Sequence, residues 1–217
     1  MRADGPCPEG RTFAATLTPA VSGQGMKRIA ILASGSGTNA QRLIEHFSAH
    51  PLAQVALVGC DQSEAGVLQR AWDLNVPSYL FTGKELRDGA VRHELQGQRI
   101  DLVVLAGFMR LIPAEMVRAF EGRLVNIHPS LLPNHGGKGM YGQRVHEAVI
   151  AAGDAESGIT IHLVNEHYDE GHVLFQARCP VHPGDTPDSL AERVHALEHA
   201  HYPRVVDELA ASLVPRR

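Results

Sequence analysis

Short apolar runs alternate with stretches of helical period from residue 27 to residue 128, and this alternation constrains the fold more than any other feature of the chain. Residues 28–33 (Arg-Ile-Ala-Ile-Leu-Ala) and 101–106 (Asp-Leu-Val-Val-Leu-Ala) are almost continuously apolar, as expected of strands buried on both faces of a parallel sheet. Residues 54–59, 77–81 and the run beginning at Leu124 read as three more strands. Between them, residues 41–46, 65–74 and 84–96 read as helices. Residues 113–120 form a shorter one that opens on a proline, where the missing N–H costs least. Repeated βαβ units predict an α/β fold: an open, mostly parallel, Rossmann-like twisted sheet with helices on both faces.

Beyond the fifth strand the pattern changes. Residues 141–152 read as a helix closed by Gly153, and residues 157–164 and 172–180 as an antiparallel pair added to the sheet. Thr186 is placed to cap a long helix from Pro187 to about Leu213, with an interruption expected near Pro203. Residues 1–25 are rich in Gly, Pro, Ala, Ser and Thr and carry no sustained period or signal-peptide core. They read as a disordered extension, or as translation from an upstream start with Met26 the working one. Residues 26–217 read as a single domain.

Composition narrows the function. A formal charge of −4 argues against a general nucleic-acid binder. No apolar run approaches the length needed to span a membrane. Cys7, Cys60 and Cys179 are odd in number and widely spaced, which suits a reducing cytoplasm better than a disulfide framework or a zinc site.

The stretch from Leu124 to Pro133 (Leu-Val-Asn-Ile-His-Pro-Ser-Leu-Leu-Pro) carries the strongest chemical signal. Strand alternation points Asn126 and His128 to one face and Ile127 into a core on the other. Pro129 and Pro133 end the strand and predict a rigid, extended loop. An amide donor beside a titratable imidazole at a strand's end suits a carbonyl oxygen acquiring negative charge. A strand-end histidine satisfied by a backbone carbonyl explains the same spacing.

Four other segments compete for a role. The loop Ser34-Gly-Ser-Gly-Thr-Asn39 joins a buried strand to a helix start, where free N–H groups favour a phosphate. With Ala40 it also fits a dinucleotide fingerprint, Asp61 then standing where a ribose-binding acid would. Residues 107–112 (Gly-Phe-Met-Arg-Leu-Ile) follow the fourth strand, where open parallel sheets bind ligands; a buried core loop is the alternative. Asp169 sits in a turn before Gly171, as an ordinary turn carboxylate or as a partner for His128. His195, Glu198 and His199 fit a His-x-x-Glu-His zinc pattern, but a third protein ligand is needed and sixteen residues remain after His201. That segment therefore reads as an amphipathic helix with Glu198 reaching a cleft or a partner, and no metal is expected.

Taken together, residues 35–39, 105–110, 126–133, 169–171 and 194–199 resemble the phosphoribosylglycinamide formyltransferase family of folate-dependent formyltransferases, over residue 26 to about residue 213. The resemblance implies transfer of a formyl group from 10-formyltetrahydrofolate, as cosubstrate, to the amine of 5′-phosphoribosylglycinamide in purine biosynthesis. It implies small-molecule substrates, no metal, no nucleic acid, no membrane, and a cytoplasmic monomer or homodimer. It puts the substrate phosphate on Gly37, Thr38 and Asn39, and Glu198 facing the glycinamide. Met109, Arg110, Leu111 and Ile112 would frame the pterin, with Arg87 near the folate's other end. Asn126 would touch folate and formyl oxygen, His128 would be the acid, and Asp169 would raise its proton affinity.

Two departures from the family pattern stand out. The loop from Asn134 to Met140 looks longer than in bacterial members, so Lys138 and His146 are expected to meet substrate differently. The Asp169 turn reads Asp-Glu-Gly in place of Asp-Gly-Gly. The rivals are methionyl-tRNA formyltransferase, formyltetrahydrofolate deformylase, and a nucleotide-binding dehydrogenase or dinucleotide sensor. The last pair leaves Asn126 and His128 without a role.

Overall fold

A computed structural model describes residues 25–214. The reading of residues 1–25 therefore lies, but for Gly25, outside the described residues. Strands β1 (Lys27–Ala33), β2 (Ala53–Cys60), β3 (Ser78–Leu80), β4 (Leu102–Leu105), β5 (Leu124–His128), β6 (Glu156–Leu163) and β7 (Val173–Pro180) form a single sheet. Its order is β3-β2-β1-β4-β5-β6-β7. The first five pair in parallel, while β6 and β7 add antiparallel, as expected of a hairpin appended to βαβ units.

Both faces of the sheet are covered, and the period-two alternation shows it. Along β1, Ile29, Ile31 and Ala33 enter one core while Ala30 and Leu32 enter another. The first core is closed by α1 (Thr38–Phe47), α2 (Gly66–Asp73), α6 (Gln143–Ala152) and α7 (Pro187–Ser212), through side chains such as Leu43, Val67, Val149 and Tyr202. The second is closed by α3 (Gly83–Arg87), α4 (Ala90–Gly97) and α5 (Ala114–Ala119), through Leu86, Leu95 and Met116. Ile127 enters the first core, so Asn126 and His128 project from the opposite face of β5. Among the described residues no helix is long and apolar enough to cross a membrane.

Three local expectations are corrected. The helix expected over residues 84–96 is two helices, because Gly89 adopts φ 85° and restarts the chain after Asp88. The long C-terminal helix runs through Pro203 without a break. A proline inside a helix costs about 3 kcal/mol, but Tyr202, Pro203, Val205 and Val206 are all buried, and that packing holds the helix straight through. The loop after Pro129 turns rather than extends: the Asn134 N–H donates to the Leu131 carbonyl, and Ser130 Oγ donates to the Asn134 carbonyl at 2.6 Å.

Candidate active site

The strand order reverses between β1 and β4, and the crevice that opens beyond the carboxyl ends of β1, β4 and β5 is where such sheets bind ligands. It holds a cavity of about 590 Å³, lined by Gly35–Asn39 after β1, Leu105–Ile112 after β4, and Asn126–Pro129 at the end of β5. The loop 137–143, the turn before Gly171 and α7 close the remaining sides. Sequence-distant candidates thus meet at one place, as the topology requires.

Gly37 shows why the first loop is glycine-rich. It caps α1 at φ 79°, and a Cβ there would stand 2.6 Å from Val67, so neither the backbone shape nor the packing of α2 admits a side chain. Asn39 Nδ2 donates to Glu198 Oε2 at 2.8 Å, tying this loop to α7. Glu198 is buried, and burial raises its pKa against the opposing pull of Asn39 and His195.

The 107–112 loop is fixed by a short chain of polar contacts. The Met109 N–H donates to Ser34 Oγ at 3.1 Å, and Ser34 Oγ donates to Asp61 Oδ1 at 2.6 Å. Arg110 Nε donates to Asp61 Oδ2 at 2.5 Å. Burial raises the Asp61 pKa, but Ser34, Arg110 and Gln62 outweigh it and leave a carboxylate below its ordinary range. Asp61 is therefore an anchor for Arg110 rather than a free ribose-binding acid, and the dinucleotide reading loses its second feature. Ile112 is buried in the second core, while Met109 and Leu111 are 51% and 46% exposed at the cavity edge. Arg87 does not line the cavity; its guanidinium lies beside that of Arg110 over Gly83.

At the end of β5, His128 is 3% exposed. Its Nε2 lies 2.8 Å from the His135 carbonyl and its Nδ1 lies 3.6 Å from Asp169 Oδ2. The carbonyl can only accept, so Nε2 carries a proton and Nδ1 is the nitrogen left to exchange one. Asp169 holds φ 57°, a backbone that Asp tolerates, and accepts from the Gly137 N–H at 2.9 Å. Its other oxygen lies 3.6 Å from His162 Nε2. Burial lowers the His128 pKa, against the upward pull of Asp169 and the His135 carbonyl. The expected effect of Asp169 on proton affinity is present, but burial outweighs it and the net shift is down. Burial raises Asp169 itself, and the His162, His128 and Gly137 contacts more than reverse that.

One residue of this site, His162, escaped the sequence reading. His162, paired with Asn126 across β5 and β6, places Nε2 3.1 Å from Asn126 Nδ2. Alternation along residues 157–164 contained the signal, since His162 interrupts an apolar face, but strand pairing had to be known first. His146 of α6 is buried against the same cavity. Lys138 lines it from the exposed loop. His195 and His199 stack 6.5 Å apart, and among the described residues no group of three or more His, Cys, Asp or Glu side chains is arranged to hold a metal ion.

The family model described as formyl transferase matches residues 27–206. The chain is 43% identical over 189 residues to phosphoribosylglycinamide formyltransferase, chloroplastic, of Vigna unguiculata, covering 84% of this chain and 61% of that protein. It is 40% identical over 206 residues to the trifunctional purine biosynthetic protein adenosine-3 of Drosophila melanogaster, covering 90% of this chain and 15% of that protein. It thus spans less than two thirds of the length of both relatives. The crystal structure of glycinamide ribonucleotide transformylase 1 from Geobacillus kaustophilus superimposes with a TM-score of 0.78 at 41% identity, covering 85% of this chain and 99% of that one. A family match over most of the described residues, on a fold and site of this geometry, shows that the chain belongs to the formyl transferase family.

Proposed function

We propose that the chain transfers a formyl group from 10-formyltetrahydrofolate to the amine of 5′-phosphoribosylglycinamide, a step of purine biosynthesis, and does so as a single cytoplasmic domain over residues 26–217. The names of the matched relatives support the glycinamide acceptor, the formyl group and the place in purine biosynthesis. The observation that carries the chemistry is the grouping of Asn126, His128 and Asp169 at the carboxyl end of β5.

The substrate amine attacks the formyl carbon and negative charge gathers on the formyl oxygen. Asn126 Nδ2 donates to that oxygen. Protonated His128, its Nε2 held by the His135 carbonyl, donates from Nδ1. Asp169, 3.6 Å from that Nδ1, stabilises the imidazolium before it donates. As the tetrahedral intermediate collapses, the bond from carbon to the folate nitrogen breaks, and the proton lost by the amine passes through the His128–Asp169 pair to that nitrogen. The products are the formamide and tetrahydrofolate, and atoms and charge balance without a redox partner. Gly37, Thr38 and Asn39 receive the phosphate on the N-terminus of α1. Glu198 faces the glycinamide, and Met109, Arg110, Leu111 and Ile112 frame the pterin. Arg87, beside Arg110, meets the far end of the folate.

Release of tetrahydrofolate tests this reading. It is expected to require 5′-phosphoribosylglycinamide, with water alone a poor acceptor. Asn126→Ala should lower turnover about 10²–10³-fold and His128→Ala about 10²–10⁴-fold. Formyl-folate hydrolysis without the amine, a requirement for a nicotinamide cofactor, or full activity in both folded variants would each defeat it.

A further inference from the structure

The two ring nitrogens of His128 face rival acceptors. The His135 carbonyl lies 2.8 Å from Nε2, and the Asp169 carboxylate lies 3.6 Å from Nδ1. A hydrogen bond to a carboxylate is roughly twice as strong as one to a neutral acceptor at equal distance. Without the carbonyl, the neutral ring would therefore carry its hydrogen on Nδ1, towards Asp169, and Nδ1 would have no lone pair to take a proton. The closer approach of the carbonyl decides for Nε2, so the position of one backbone oxygen sets the working tautomer.

That oxygen lies where the chain has little else to hold it. The Leu132 N–H donates to Thr160 Oγ1 at 3.0 Å, and the Leu132 carbonyl accepts from Gln176 Nε2 at 3.0 Å, so the loop as far as residue 132 rides on β6 and β7. Beyond His135 the run is Gly-Gly-Lys-Gly. His135 itself holds φ 53°, a left-handed backbone that histidine adopts at a cost. Its side chain supplies the tie. Its Nε2 lies 2.6 Å from Asp154 Oδ2, and since a carboxylate only accepts, Nε2 donates. Asp154 is fixed in its turn: Gly153 closes α6 at φ 69°, and the Asp154 N–H donates to the Val149 carbonyl at 3.3 Å. A carboxylate just past the C-terminus of a helix meets the negative end of the helix dipole, a disfavoured place that the His135 donor offsets. Two residues on, the Gly137 N–H donates to Asp169 Oδ2 at 2.9 Å, so the same stretch of backbone touches both members of the His128–Asp169 pair.

We infer that Asp154, acting through the His135 side chain, is a positioning residue for His128: it holds the His135 carbonyl on Nε2 and keeps Nδ1 open for proton exchange. The inference rests on the role of His128 proposed above.

Two measurements on the full chain test it. One is steady-state turnover with both substrates. The other is nitrogen NMR of histidine-labelled protein, with the His128 signals identified by their absence from His128→Ala. The spectrum reads which ring nitrogen bears the hydrogen, which a loss of stability alone leaves unchanged. Asp154→Ala should lower kcat about tenfold, the size that one hydrogen bond carries, and leave both KM values within about twofold. It should also move the hydrogen of the neutral His128 ring from Nε2 to Nδ1. Asp154→Asn, whose amide oxygen still accepts from His135, should recover part of kcat and of the Nε2 signal. His135→Asn tolerates the left-handed backbone but is too short to bridge to Asp154. It should repeat the losses of Asp154→Ala, and it serves if that variant does not fold. An unchanged kcat in the folded variants, or a lower kcat with the His128 hydrogen still on Nε2, overturns the inference and leaves the proposed function standing. A wild type without turnover that depends on 5′-phosphoribosylglycinamide overturns the proposed function, and this inference with it.

Discussion

Asn126 Nδ2 lies 3.1 Å from His162 Nε2, and the opposite nitrogen of that ring, Nδ1, lies 2.9 Å from the Leu163 carbonyl. A carbonyl only accepts, so Nδ1 carries the hydrogen whenever the ring holds one proton, and Nε2 is left as an acceptor. That acceptor fixes which way the Asn126 amide faces: one N–H goes to His162 and the other is free for the cavity. His162→Phe removes the acceptor and lets the amide turn its oxygen inward. Turnover should fall at least about tenfold, short of the 10²–10³ expected for losing the donor itself. In a double-mutant cycle His162→Phe should add nothing to Asn126→Ala. Fully additive losses would sink the idea.

The 3.6 Å gap between His128 Nδ1 and Asp169 Oδ2 makes a second prediction. Asp169 is the main group pulling the His128 pKa up against burial. Asp169→Asn removes that pull, so the His128 pKa falls further and less of the imidazolium is present at a given pH. The pH profile of kcat should move to lower pH, with a loss of about 10²-fold or more at neutral pH. An unmoved profile would show that the two groups are not coupled.

Ser34 links the Met109 backbone to Asp61, and Asp61 holds Arg110. Ser34 is buried, so Ser34→Ala leaves the Asp61 carboxylate and the Met109 N–H each short of a partner. A stability loss of about 1–3 kcal/mol in urea unfolding is expected. The 107–112 loop, proposed to frame the pterin, should loosen, raising KM for the formyl donor and leaving that for the acceptor unchanged. A rise in acceptor KM alone would contradict this account.

Burial, His195 and His128 together hold the His146 pKa at about 4, below the ordinary 6.5. The unfolded chain therefore takes up this proton at higher pH than the folded one. The contribution to stability is fully present above about pH 6.5 and is lost as the pH falls towards 4. The Tm of the wild type should drop over that window more steeply than the Tm of His146→Phe, which has nothing to titrate there. Parallel curves in differential scanning calorimetry would contradict the placement of His146.

By itself the sequence determined what is local. Alternating apolar runs dictated the strands, and Pro113, Gly153 and Thr186 marked helix ends that the structure reproduces within a residue or two. The period-two face of Asn126 and His128 was legible for the same reason, since side-chain direction along a strand is a property of the backbone alone. Where local signals conflicted with packing, packing won: Pro203 reads as a break, but the buried surface around it keeps α7 whole. Only the tertiary structure decided that Asp169 meets His128 across 41 positions of chain, that Asp61 serves Arg110, and that His162 orients Asn126. Those pairings depend on which strands lie side by side and on how a turn folds over a strand end, and neither is encoded in the spacing of the residues themselves.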